Sequence, residues 1–183
     1  MLKPWPSWIA DFEHFKREFL KWADAYLEEW SIKYGVSKPS VHIIPDDKLD
    51  PWEVGAVYVT LGVKHSGVTG PAIIFREGYL RDLFGNAWKK QRFEEMWNYL
   101  LWTLAHEFGH HMRILPKPSL LVAPFPMIRE AKRRMEISAS LMAYSLTGKT
   151  ATKHNWDFLM VTGETRPRYF ARQAFEWRRK GIR

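Results

Sequence analysis

Large apolar residues recur near the start of the chain at Trp8, Phe12, Phe15, Phe19, Trp22, Tyr26 and Trp30, spaced alternately four and three apart. That period places them on one stripe, so a long amphipathic helix is predicted from about Ser7 to Tyr34, stopped near Gly35. A stripe this bulky is expected to pack on the domain's own sheet. The pattern then changes. Val41–Ile44 is short and closed by Pro45-Asp46-Asp47, Val54–Leu61 is β-branched and aromatic, and Ala72–Phe75 follows the turn-rich Ser66–Pro71. All three read as strands. Arg76–Phe84 reads as a short helix broken at Gly85-Asn86. A second long helix is predicted over about Arg92–Ile114, ended by Pro116 and Pro118, and residues 115–126, with four prolines, read as a loop. A third helix spans about Met127–Leu146 and stops at Gly148, and a last one covers roughly Pro167–Arg179. A helix, three strands and then helices predict an α+β fold: a small, mainly antiparallel or mixed three-stranded sheet packed by helices on one face.

Composition narrows the class. The 183 residues fit one domain with a real core, with 46% hydrophobic and 15% aromatic positions and ten Trp. The expected division is an N-terminal helix over residues 1–35, a core over 40–150 and a basic helical segment over 151–183. No run is long and apolar enough to predict a membrane span. Met1–Pro6 has no apolar h-region, so a cytoplasmic location is expected. Cysteine is absent, which excludes disulfides, thiolate ligands and a Cys nucleophile. Asn and Gln together number only five, a scarcity expected of proteins from hot environments. The formal charge is +8, and residues 164–183 alone supply +5, from seven Lys or Arg and two Glu. A solvated basic face is the expected meaning; an acidic partner such as nucleic acid is the alternative.

The chemistry concentrates in His106-Glu107-Phe108-Gly109-His110. Two His four apart in a helix project from one face about one turn apart, and two neutral imidazoles at that spacing can hold one Zn²⁺. Glu107 is too close to His106 in sequence to chelate the same ion easily. It can instead reach a water at an open coordination position, where a general base must sit. Leu104, Phe108 and Met112 lie away from the ligand face and are expected to anchor the helix in the core. His111 is out of register with the pair and is expected beside the site or at the surface. His14, His42 and His65 are expected to be structural or solvated. A metzincin would need Gly three and His six residues after His110, where this chain has Arg113 and Pro116. The third ligand is then expected from a Glu on a following helix. Glu130 and Glu136 are the only acidic residues between His110 and Asp157. Glu136 is preferred, because it shares its face with the small Ala139, Ser140 and Ala143, which let the helix approach Gly109. Glu130 has Arg133 and Arg134 on its face and stands as the alternative.

The stretch Leu104–His111 resembles the active-site helix of small gluzincins, a group that includes the minigluzincins and the peptidases of the ImmA/IrrE type. The strands at Gly55–Tyr58 and Ile73–Phe75 are similar to those that precede the helix in that group. The resemblance covers about residues 54–147 and implies a three-stranded sheet, an active-site helix, a glutamate helix and proteolytic activity. It departs from the group in having no visible helix-turn-helix module. Ser140 also stands where an Asp is common, four residues after the ligand.

These readings converge on zinc-dependent hydrolysis of a peptide or protein substrate, with His106, His110 and Glu136 as ligands and Glu107 as base. Tyr144, His154 and Tyr169 are candidates for the oxyanion donor, with His154 and Tyr169 preferred. The substrate is expected to add as a strand along Ala72–Phe75. The alternative is a latent or non-catalytic metal-binding protein whose basic tail holds nucleic acid or another acidic partner.

Overall fold

A computed structural model of the chain describes residues 9–48, 55–113 and 125–148, the side chains of residues 113 and 125–134 excepted. Helix α1 spans Phe12–Tyr34. Asp11 caps its start by accepting from the His14 backbone N–H at 2.7 Å. Gly35 ends it in the left-handed region, φ 64°, so that its own N–H and that of Val36 reach the last free carbonyls. The predicted stripe points inward: Phe12, Phe15, Phe19 and Trp30 are buried, and Trp22 and Tyr26 pack beside them. The Phe19 ring meets the Phe75 ring edge-on at 4.9 Å, which seats the helix on the sheet as expected. Trp8 lies outside the described residues.

The strands are β1 (Ser40–Ile44), β2 (Ala56–Val59), β3 (Lys64–His65), β4 (Val68–Thr69) and β5 (Ala72–Arg76). The main sheet has the order β1-β5-β2, with β1 parallel and β2 antiparallel to β5. It is therefore a mixed three-stranded sheet. The two short strands form a separate hairpin whose turn, Ser66-Gly67, has φ 48° and 83°. Two positive φ values in succession are what a two-residue hairpin turn of type I′ requires. The expectation that Ala72–Phe75 offers a free edge is overturned. β5 is central, paired on both sides, and all five of its residues are buried. Its backbone groups are committed to β1 and β2, so no added strand can pair there. Among the described strands, the edges are β1 and β2.

Helices lie on one face of the sheet, where Val41, Ile43, Ala56, Tyr58, Ile73 and Phe75 join the main core. On the opposite face Ile44, Val59, Ala72 and Ile74 form a smaller cluster against which Val68 of the hairpin packs. Helix α2 runs Glu77–Lys90, straight through the expected break at Gly85-Asn86. Its inward face, Tyr79, Leu80, Leu83, Phe84 and Ala87, continues past the glycine, and a single helical Gly costs only about 1 kcal/mol. Asn86 adapts by donating to the Asp82 carbonyl at 2.8 Å. Helix α3 spans Phe93–Arg113 and α4 spans Phe125–Thr147, within two residues of the predicted bounds. Gly148, φ 67°, ends α4 and donates to the Tyr144 carbonyl. The predicted helix over Pro167–Arg179 lies outside the described residues. No described helix is long and apolar enough to cross a membrane.

Candidate metal centre

Helix α3 is fixed by what it buries. Leu104, Ala105 and Phe108 are fully packed, with Phe108 meeting Trp30 of α1 at 5.6 Å between rings. The turn carrying His106 and His110 faces the other way, toward α4. The approach of the two helices is set at Gly109. A methyl group there would meet Ala139 Cα at 2.7 Å and the Ala139 carbonyl at 2.9 Å, inside normal contact. Small residues on both helices thus bring α4 within side-chain reach of the His pair, as its Ala-rich face predicts.

At this crossing His106 Nε2 lies 3.1 Å from Glu136 Oε2, His110 Nε2 lies 3.5 Å from Glu136 Oε1, and the two Nε2 atoms are 3.2 Å apart. Ligand atoms 2.0–2.1 Å from a tetrahedral ion lie about 3.3 Å from one another. The observed spacings fall on either side of that value, so the three side chains could hold one metal ion with little movement. Both imidazoles turn the same nitrogen toward the shared point. Ser140, one turn after Glu136, has its Oγ 3.4 Å from His106 Nδ1, and the Trp102 ring stacks on His106 at 5.1 Å and 20°. Both contacts fix the ring plane, as the neighbours of a ligating His commonly do.

The electrostatics agree with a cation-seeking group. Hydrogen bonding from His106, then from His110, holds the Glu136 carboxyl far below the usual carboxylate range. Burial alone would lower the His110 pKa. The Glu136 hydrogen bond, with the charges of Glu107 and Glu136, reverses this and raises it. The carboxylates that raise the His110 pKa place negative charge beside it, which also favours a metal cation at this point. Glu107 sits on the same turn, buried, with its charge felt at His110.

Of the residues expected from sequence, His106, His110 and Glu136 come together. Tyr144 is half exposed on α4. The side chain of Glu130 lies outside the described part, as do His154 and Tyr169 entirely. His111 is neither ligand nor loose surface: its ring contacts Tyr58 Oη at 3.0 Å and the Ser37 carbonyl at 2.7 Å. His42 bonds Ser40 on β1. Sequence reasoning missed Trp102, although its spacing of four from His106 announces a shared face. It also missed Tyr58, whose hydroxyl pKa burial pushes up to about 12. No sequence signal links Tyr58 to His111 across 53 positions. Set beside known proteins, the chain matches no family model, no curated protein and no solved structure, so the chemistry of this cluster is what bears on function.

Proposed function

We propose that this chain is a zinc-dependent peptidase, with His106, His110 and Glu136 as metal ligands and Glu107 as general base. The observation that carries the reading is the meeting of both Nε2 atoms and the Glu136 carboxylate at tetrahedral spacing, with buried Glu107 on the same helical turn. Zn²⁺ held there would polarise a peptide carbonyl and make a water molecule more acidic. The remaining steps belong to the protein. Two neutral imidazoles and one carboxylate leave net positive charge at the site, which favours a carbonyl oxygen over a second anion. Glu107 takes the proton of the attacking water as the new C–O bond forms. It passes that proton to the amine nitrogen as the C–N bond breaks, and ends ionised again.

The substrate is best placed on β2 rather than β5. β2 is the edge strand that packs against α3, and no described strand pairs with its outer side. An extended peptide can complete its hydrogen bonds there, as peptides do at open sheet edges. Elemental analysis of the purified full chain tests the ligand set: one zinc per chain is expected, lost in His106→Ala and in His110→Ala. Full zinc retention in either variant would overturn it. Release of peptides from a mixed library by the zinc-loaded chain tests the reaction.

A further inference from the structure

His111 stands next to a proposed ligand yet has both ring nitrogens occupied elsewhere. A carbonyl can only accept, so the 2.7 Å contact with Ser37 O requires the proton on His111 Nε2. Nδ1 then carries the lone pair, and at 3.0 Å it accepts from the Tyr58 hydroxyl. One ring thus joins three elements: α3, the edge strand β2, and the connection between α1 and β1 on which Ser37 lies. The same ring packs on Phe108, 5.8 Å away, and Phe108 is fully buried. The Tyr58 side of the joint is therefore partly buried against the core, while the Ser37 side is exposed.

Its position gives the joint a consequence. His110 and His111 are consecutive, so a displacement at one is transmitted to the other through a rigid helical turn. Tyr58 lies on β2 with its side chain toward α3, while the outer backbone edge of β2 has no strand partner among the described residues. We propose that Tyr58, His111 and the Ser37 carbonyl form a positioning pin that holds the peptide-accepting edge of β2 at a fixed height above the metal-binding turn. Tyr58 and His111 are then positioning residues. They touch neither the ion nor the scissile bond, but they set where a peptide paired to β2 presents its carbonyl. The proposal rests on the metallopeptidase reading and adds to it the device that registers strand against metal. A side chain acting only through placement spares metal-only ligands and weakens those that also use the strand.

Two probes separate these cases on the zinc-loaded full chain by calorimetry. Acetohydroxamate grips the metal alone, and a tripeptide bearing a terminal hydroxamate grips the metal and the strand. The wild type is expected to bind the tripeptide more tightly. Tyr58→Phe keeps the ring and removes the hydroxyl. It is expected to weaken the tripeptide about tenfold and leave acetohydroxamate within about twofold, with zinc content unchanged. His111→Gln, a second variant with separate donor and acceptor, is expected to fall between wild type and Tyr58→Phe for the tripeptide alone. Equal weakening of both probes, or of neither, would overturn the pin. A wild-type chain that takes up zinc but gains nothing from the tripeptide over acetohydroxamate would overturn the strand half of the proposal. Failure of the wild type to take up zinc would instead sink the metal reading beneath it.

Discussion

Substitution of Gly109 by Ala tests whether the helix crossing itself builds the candidate metal site. The added methyl would lie 2.7 Å from Ala139 Cα, 2.9 Å from its carbonyl oxygen and 3.1 Å from Met142 Cβ. Comfortable carbon contacts lie at about 3.5–4.0 Å, so α4 must retreat by about 1 Å. Two of the three obstacles are backbone atoms of a helix, so a side-chain rotation cannot relieve them. Overpacking of this size costs about 1–3 kcal/mol, and the better helix propensity of Ala returns about 1 kcal/mol. The net loss of stability is therefore small, about 0–2 kcal/mol, and the protein still folds. The metal site has less latitude. Coordination distances tolerate about 0.2 Å, several times less than the displacement forced on Glu136. Zinc affinity, measured by competition with a chromophoric chelator, is expected to fall at least about tenfold in Gly109→Ala. Gly85→Ala is the control, since nothing lies within 4 Å of the added methyl. It is expected to stabilise by about 0.5–1 kcal/mol and leave zinc binding alone. Wild-type zinc affinity in Gly109→Ala would refute the reasoning, because it would mean that α4 does not supply a ligand from this crossing.

The other expectations concern the cluster itself. Glu107→Gln should retain zinc and lose hydrolysis of a peptide library, since its carboxylate is assigned to proton transfer; unchanged turnover would remove it from that role. Glu136→Ala should release zinc while Glu130→Ala keeps it, and the reverse order in chelator competition would move the ligand to Glu130. The His110 pKa is raised above 6.5 in the metal-free protein, so protons compete for its nitrogen as pH falls through that raised value. Zinc affinity measured by chelator competition should therefore weaken as pH falls from about 8 to about 6, and an affinity independent of pH over that range would contradict the electrostatics. For the metal-free fold, the lowered Glu136 carboxyl contributes stability that is present above about pH 4.5 and lost as pH falls. The raised His110 contributes stability that is present below about pH 6.5 and lost as pH rises. Thermal melts of the metal-free protein should thus peak between these values, and a maximum above pH 8 would count against the pair.

The local parts of this fold were legible because local chemistry writes them. The three-four spacing from Phe12 to Trp30 fixed which face of α1 is buried, and Asp11 and Gly35 supplied its ends. His106 and His110 had to share a face wherever their helix lay, and the small face of α4 announced a close approach before any partner was known. The unbroken apolar run Ala72–Phe75 even carried the mark of a central strand, since a strand buried on both faces has no polar alternation. Reading that run as an edge confused chain order with sheet order. Strand order, the continuation of α2 through Gly85, and the joining of Tyr58, His111 and Ser37 were decided only in three dimensions. Each depends on contacts between distant segments, whose energies exceed the small local preferences that a short window of sequence records. Gly109 shows the division in a single residue. Its sequence permits a close helix crossing, but only the packed position of α4 turns that permission into a carboxylate 3.1 Å from a histidine nitrogen.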